Sequence, residues 1–135
     1  MTGWASRYVG IPHVEMGRDF TGADCYGLGR LILREECSIE VPSFTESYVG
    51  DAERVELASL ILDGAQVGPW HRVEDIRPFD WLLFRMAGHA SHIGVAIDAR
   101  RMIHSHSDVA KIARLSDPSW ACRRVGAWRH EELMT

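Results

Sequence analysis

The sequence predicts an α+β fold in which N-terminal helices pack on an antiparallel sheet. In the first half, apolar residues recur at three- and four-residue spacing, which is typical of amphipathic helices. From Trp70 onward, short apolar runs alternate with turn residues, which is typical of strands. Helices followed by strands favour α+β architecture. The 135 residues, 46% of them hydrophobic and 25% charged, suit a single domain over 1–135.

Helical segments are predicted in the first half over Trp4–Val9, Asp24–Cys37 and Asp51–Leu62. Asp24 is a suitable N-cap for the second of these, because its carboxylate can accept hydrogen bonds from unpaired amides at the helix start. The polar stretch 14–22 before it and the stretch 38–49 after it are predicted as connections. The second helix is therefore expected to present Cys25 in its first turn.

Six strands are predicted in the second half: Trp70–Val73, Asp80–Arg85, His92–Asp98, Met102–His106, Val109–Leu115 and Cys122–Trp128. A tight turn over Asp98–Arg101 joins the third and fourth, and Asp117-Pro118 forms a turn before the last. Their succession predicts an antiparallel meander. The segment His130–Thr135 is expected to be frayed.

Composition excludes several classes of function. A net charge of -4 gives no electrostatic case for binding nucleic acid or an anionic membrane surface. The chain has no apolar run long enough to insert in a membrane and no signal-peptide core at its N-terminus, so cytoplasmic synthesis without a signal peptide is expected. The chain has three cysteines, an odd number, and none are in CxxC spacing, which predicts free thiols rather than disulfides. They are Cys25, Cys37 and Cys122.

Three side chains predict nucleophilic chemistry. Cys25 would lie at the positive end of a helix dipole, which favours the thiolate. His92 and His104 lie on two predicted strands joined by a tight turn, so their imidazoles can reach hydrogen-bonding distance. A thiol, a base and a group that orients the base are the parts of a cysteine hydrolase. A cysteine alone would more commonly be a core residue.

Other roles for the histidines stay open. His106 shares a predicted strand face with His104 and competes for the orienting role. A zinc site is a further alternative, with ligands drawn from His89, His92, His104 and His106. His89 and His92 are not spaced like helix-borne ligands and no carboxylate partner is evident, so no metal is predicted. The remaining candidates are expected to be structural or incidental: His71 and His130 at the surface, Cys37 and Cys122 as buried or incidental thiols, and the five tryptophans in packing.

Several motifs occur in the order found in a known family. They are Gly10–Pro12 (Gly-Ile-Pro), Asp24–Leu28 (Asp-Cys-Tyr-Gly-Leu), Phe79–Phe84 (Phe-Asp-Trp-Leu-Leu-Phe), His92–Val95 (His-Ile-Gly-Val) and Ile103–Ser105 (Ile-His-Ser). On these motifs the sequence resembles the NlpC family of bacterial cell-wall cysteine peptidases. The resemblance implies a compact papain-like fold with Cys25 as nucleophile, His92 as base and His104, twelve positions on, as orienting residue. It implies no cofactor.

The resemblance also implies a substrate and two departures from the pattern. The reaction would be hydrolysis of an amide in a peptidoglycan stem peptide, between γ-D-glutamate and a diamino acid, with oxyanion contacts at the Asp24–Cys25 helix start. Tyr26 replaces the usual serine and is expected to reshape the substrate groove. His13 stands twelve positions before Cys25, where an aromatic residue, often tyrosine, assists the oxyanion site.

The compact form is similar to versions carried by phage and gene-transfer tail modules, which implies phage-tail proteins as partners and a virion location. Two alternatives from other classes remain. One is a catalytically weak or inactive structural tail component with the same fold. The other is a thiol-dependent acyltransferase or thioesterase, although relatives with lipid-like substrates place histidine before cysteine. Here Cys25 precedes His92, which favours the peptidase.

Overall fold

A six-stranded antiparallel sheet forms the centre of the structure. The structure is a computed structural model and describes residues 3–15, 17–41, 70–86 and 89–134. The sheet has the order β3-β8-β4-β5-β6-β7, and the bounds are β3 Trp70–Val73, β4 Trp81–Met86, β5 His89–Ala96, β6 Arg101–Ser105, β7 Ala110–Arg114 and β8 Arg124–His130. These strands confirm the predicted α+β class with shifts of one to three residues at most ends. The predicted helix Asp51–Leu62 lies outside the described residues.

The predicted meander is wrong at its last strand. β8 does not continue the sheet beyond β7 but pairs with both β3 and β4. The second half of β8, from Ala127 to His130, is buried, and a buried strand segment is stabilised between two neighbours rather than at an edge. β8 also extends through His130, which is buried and pairs with Trp70, and a 3-10 turn over Glu131–Leu133 follows. The expectations of a surface His130 and a frayed end at 130–133 are therefore wrong.

Short elements occur where loops or turns were expected. β1 (Arg18–Asp19) and β2 (Gly22–Ala23) form a small antiparallel ladder before the main helix. A 3-10 turn over Ala5–Arg7 confirms a short helical segment near the N-terminus. The Asp117-Pro118 turn opens a one-turn helix, α2 (Pro118–Ala121), because the Asp117 side chain accepts a hydrogen bond from the amide of Ser119.

The main helix, α1 (Cys25–Cys37), covers one face of the sheet. Strand alternation directs Trp81, Leu83, Ile93 and Ile103 toward this face, where they pack with the apolar residues of α1. The opposite face carries a second core cluster of Leu82, Phe84, Ala96, Met102, Leu115, Trp120 and Ala127. The side chains of alternate positions on β5 and β6 therefore enter two different environments.

α1 approaches the sheet closely at Gly29. A Cβ atom at this position would lie 2.7 and 2.9 Å from two ring carbons of Trp81. That ring is buried and held by Trp70, at 4.4 Å between ring centroids, and by Tyr26, at 5.5 Å. Close helix-to-sheet contact is the reason for glycine inside this helix.

Replacing Gly29 with alanine is expected to destabilise the protein. Alanine improves helix propensity by about 1 kcal/mol, but overpacking against the indole costs about 1–3 kcal/mol. We expect the free energy of unfolding, measured by urea denaturation, to fall by up to about 2 kcal/mol. Glu35→Ala, an exposed substitution on the same helix, should change it by less than about 0.5 kcal/mol. A stabilised Gly29→Ala variant would contradict the close contact.

α1 has 13 residues, and no helix in the described part of the chain is both long and apolar enough to cross a membrane.

Candidate active site

Cys25 is the first residue of α1, as predicted, and its helix is firmly capped. Asp24 Oδ1 accepts a hydrogen bond of 2.7 Å from the amide of Gly27 and one of 2.9 Å from the Arg18 guanidinium. The capping residue Asp24 is buried, and Cys25 is half-buried. The predicted N-cap is confirmed, and Arg18 is an additional partner that comes from β1 rather than from the motif.

His92 and His104 form a buried hydrogen-bonded pair. The Nε2 atom of His92 lies 2.9 Å from Nδ1 of His104, and the rings are nearly perpendicular. Only 2% and 3% of these residues are exposed. The contact predicted from the turn between the two strands is therefore present. His104, rather than His106, makes this 2.9 Å contact with His92.

Trp120 covers the imidazole pair. Its indole stacks on the ring of His92 at 5.1 Å between centroids and meets His104 edge-on at 4.6 Å. His106 contacts the same indole and is half-buried. A cleft of about 560 Å³ opens beside His104, with Lys111 and Trp120 among its lining residues. The indole excludes water from the hydrogen bond between the imidazoles, which strengthens its electrostatic component.

His104 is held in its neutral form. Burial lowers the pKa of His104 to about 4, and the nearby charges of His106 and Lys111 act in the same direction. A neutral imidazole has one donor and one acceptor nitrogen. Whenever His92 is protonated it must donate from Nε2, so His104 then accepts at Nδ1 and carries its own proton on Nε2. The pair can thus hold a proton on His92 without charging His104.

This depressed pKa predicts a loss of stability in acid. Unfolded histidine has a pKa of about 6.5, so between pH 6.5 and 4 the unfolded chain binds a proton at position 104 that the folded chain does not. The free energy of unfolding should therefore fall as pH decreases through this range, by up to about 3 kcal/mol from this residue. Urea denaturation at pH 4 to 8 measures it.

The matched comparison is His104→Asn against His71→Asn, an exposed position on β3. The first variant should flatten the pH dependence and the second should leave it as in the wild type. Buried His130, whose pKa is also lowered by burial, retains a smaller slope of the same sign in both variants. Equal slopes in the two variants would contradict a neutral buried His104.

The start of α1 lies at the same end of the sheet as the imidazole pair. Ser105, next to His104, donates a hydrogen bond of 3.1 Å to the carbonyl of Ala23, two residues before Cys25. The imidazoles belong to the Trp120 side of the sheet and the body of α1 to the other side. Pairing of β5 with β6 ends at Gly94 opposite His104. The start of α1 and the imidazole pair thus lie around the same end of the paired strands.

A hydrogen bond to Ser105 places His13 in the same region. Its Nδ1 atom lies 2.8 Å from Ser105 Oγ. Because the single hydroxyl proton of Ser105 is donated to Ala23, Nδ1 of His13 must be the donor in this contact. Neutral His13 then has a lone pair on Nε2, and only the imidazolium form can donate from that atom.

Tyr26 does not shape a groove. The residue is 1% exposed, and its ring packs edge-on against Trp81 in the core between α1 and the sheet. Burial raises the pKa of the Tyr26 hydroxyl above its usual value. The expectation that this larger side chain reshapes the substrate groove is therefore wrong, because the helix turns position 26 inward.

A zinc site has no support among the residues that the structure describes, which contain no group of three histidine, cysteine or acidic side chains placed to hold an ion. The side chain of His89 lies outside that description. The pair of His92 and His104 is occupied by its own hydrogen bond.

Two residues of the site were not singled out from the sequence. Trp120 was assigned to general packing, although an aspartate N-cap followed by proline predicts the helical turn that carries it. In the sequence, Ser105 stands out only as the last residue of the Ile103–Ser105 motif. Its role depends on His13 and Ala23, which are distant in sequence and adjacent only in the fold.

Comparison with known proteins identifies the family. The model of the NlpC/P60 family matches residues 10–129, which is most of the chain. The chain belongs to the NlpC/P60 family. A curated relative, the γ-DL-glutamyl hydrolase of Bacillus subtilis strain 168, is 26% identical over 133 residues, covering 96% of this chain and 28% of the relative. The chain therefore spans less than a third of that protein.

Solved NlpC/P60 structures share the fold. A lipoprotein-like NLP/P60 protein of Staphylococcus aureus Mu50 aligns with a TM-score of 0.68 at 20% identity, over 96% of this chain and 39% of the other. The NlpC/P60 domain of the peptidoglycan hydrolase SagA aligns with a TM-score of 0.62 at 17% identity, over 95% and 94%. An NlpC/P60 protein of Bacillus cereus gives 0.65 at 21% identity, over 93% and 37%. The papain-like α+β class is thereby confirmed for this NlpC/P60 chain.

Proposed function

We propose that the chain is a cysteine peptidase that hydrolyses a γ-D-glutamyl–diamino acid amide in peptidoglycan stem peptides. The observation that carries the proposal is the buried hydrogen bond between His92 and His104 at the sheet end where the Cys25 helix begins. A base whose partner stays neutral can accept a thiol proton and release it again. Membership of the NlpC/P60 family supports a hydrolase of this kind.

The substrate class draws support from the relatives. The Bacillus subtilis relative is named for hydrolysis at γ-glutamyl linkages, and SagA is named a peptidoglycan hydrolase. The γ-glutamyl amide is the bond common to the first name and to a stem peptide. Because the chain spans 28% of the first relative, its own substrate is part of the proposal.

In the first step, the sulfur of Cys25 attacks the carbonyl carbon of the amide. His92 takes the thiol proton at Nδ1 while its Nε2–H stays bonded to Nδ1 of His104. The C–N bond then breaks, His92 passes the proton to the leaving amine, and the acyl group remains on Cys25 as a thioester. Before the C–N bond breaks, the negative oxygen of the tetrahedral intermediate is stabilised by the amide of Cys25. This is one of the first helical amides, which have no intrahelical acceptor.

In the second step, water replaces the amine. His92 takes a proton from the water as the water oxygen attacks the thioester carbon. The C–S bond then breaks, His92 returns the proton to the Cys25 sulfur to restore the thiol, and the carboxylic acid is released. His104 orients the ring of His92 in both steps without changing charge, since its pKa is lowered by burial. His13 contributes to the oxyanion site in this proposal only as an imidazolium that donates from Nε2.

The decisive experiment is incubation of purified stem peptides with the wild type and with Cys25→Ala, followed by mass spectrometry of the products. Release of an alanyl-glutamate fragment by the wild type alone is expected. Loss of the nucleophile should lower kcat by at least about 10³-fold.

Cys37→Ala is the matched control. Cys37 lies at the other end of the same helix, and burial raises the pKa of its thiol to about 11, so it carries little thiolate at neutral pH. This variant should keep wild-type activity. Absence of cleavage by the wild type, with slow alkylation of Cys25 near pH 7, would instead favour the structural tail component. Acyl transfer to an added amine without peptide hydrolysis would favour the acyltransferase.

Association with a phage or prophage tail is a further part of the proposal and is supported by the resemblance alone. Mass spectrometry of purified tail particles tests it, and detection of the chain only in the cytoplasmic fraction would remove this part.

A further inference from the structure

A second cleft, of about 940 Å³, lies at the Arg101 end of β6 and shares Arg114 and Ser116 with the cleft beside His104. Four arginines line it: Arg100 and Arg101 at the turn into β6, Arg114 at the end of β7, and Arg124 at the start of β8. Asp98 is the acidic residue in its lining. Its volume is typical of small-ligand sites.

The positive charge of this arginine cleft is largely uncompensated. Asp98 accepts bonds of 2.6 and 3.1 Å from the Arg101 guanidinium and bonds from the amides of Arg100 and Arg101. The aspartate thus balances Arg101. In the described ranges, no ion pair involves Arg100, Arg114 or Arg124. Three positive charges remain together on a chain whose net charge is -4.

Two of the arginines lie directly opposite each other on neighbouring strands. Arg101 of β6 and Arg114 of β7 are direct cross-strand partners. Like charges directly opposite each other destabilise an antiparallel pair, and the bonds from Arg101 to Asp98 reduce this repulsion without removing Arg114 from the site. The backbone bond of 2.8 Å from Leu115 to the carbonyl of Arg100 keeps the end of β7 against the turn, so the strands do not separate to relieve the repulsion. An anion bound between the guanidiniums would offset it.

We propose that the arginine cleft binds a phosphate group. Guanidinium forks match phosphate oxygens in bidentate geometry. A carboxylate carries one charge and two oxygens, which a single arginine satisfies. Phosphate carries up to two charges and more oxygens, which suits the three uncompensated guanidiniums. The cleft has room for an organic group attached to the phosphate. This site does not depend on the proposed peptidase activity.

Isothermal titration calorimetry with inorganic phosphate, glycerol 1-phosphate and acetate at constant ionic strength tests the proposal. We expect saturable binding of the phosphates and weaker binding of acetate. Arg114→Gln and Arg124→Gln should each weaken phosphate binding about tenfold, the loss expected for one charged hydrogen bond. Arg85→Gln, an exposed arginine on β4 outside the cleft, is the matched control and should bind as the wild type does.

Thermal unfolding gives a second readout. Arg114→Gln should raise Tm in phosphate-free buffer, because it removes one of the three uncompensated positive charges of the cleft, and should lose the increase in Tm that phosphate gives the wild type. Tighter binding of glycerol 1-phosphate than of inorganic phosphate would assign the site to a phosphate ester, and equal binding to the free ion. No saturable phosphate binding, equal binding of acetate, or equal affinities of the Arg114, Arg124 and Arg85 variants would overturn the proposal.

Discussion

Replacing His92 with glutamine is expected to lower kcat for stem-peptide hydrolysis by about 10²- to 10⁴-fold, the range typical of a lost general base. Glutamine can still donate a hydrogen bond toward Nδ1 of His104, but it cannot accept the thiol proton. Substrate contacts away from the proton transfer remain, so KM should change little. Steady-state kinetics on a purified stem peptide measures both quantities.

Alkylation of Cys25 by iodoacetamide provides a readout that does not need the substrate. An imidazole next to the thiol favours a reactive thiolate below the usual thiol pKa of about 8.5, and His92→Gln should abolish that reactivity. His71→Gln, on an exposed part of β3, is the matched control and should preserve both kcat and alkylation. Unchanged alkylation in His92→Gln would show that Cys25 and His92 do not meet around the end of the paired strands.

Replacing Arg129 with methionine is expected to reduce the free energy of unfolding by about 3–5 kcal/mol, because it leaves a buried carboxylate without its partner. Arg129 bonds both oxygens of Asp80 at 2.8 Å and the carbonyl of Asp75 at 2.7 Å. Asp80 is completely buried and Arg129 is 6% exposed. The pair links β8 to the turn before β4. Urea denaturation at pH 7 measures the loss.

Arg77→Met is the matched control for this pair. Arg77 forms an ion pair with Asp75 in which both side chains are 62% exposed, so its loss should cost less than about 1 kcal/mol. The double substitution Asp80→Leu with Arg129→Met removes both charges and should be less destabilised than Arg129→Met alone. Equal losses for the single and double variants would mean that packing, rather than the unpaired charge, determines the effect.

Much of the fold could be predicted from local patterns. The strand Trp70–Val73 and the helix α1 with its Asp24 cap agree with the prediction, because alternation, helical spacing and capping act within a few residues. The position of β8 could not be predicted in this way. Its partners β3 and β4 are distant in sequence, and its buried Trp128 selects them through contacts that form only in the assembled sheet.

In the candidate site, too, some features follow from local sequence and others depend on tertiary packing. Cys25 at a helix start and the hydrogen bond between His92 and His104 follow from a capping residue and a tight turn, so the sequence by itself determined the position of Cys25 and the imidazole pair. Only the tertiary structure decided that Tyr26 is core, that Trp120 covers the imidazoles and that Ser105 joins β6 to the Cys25 segment. The reason is physical. Caps, turns and periodicity depend on neighbouring residues, whereas burial and cross-element hydrogen bonds depend on which distant segments the packed sheet brings together.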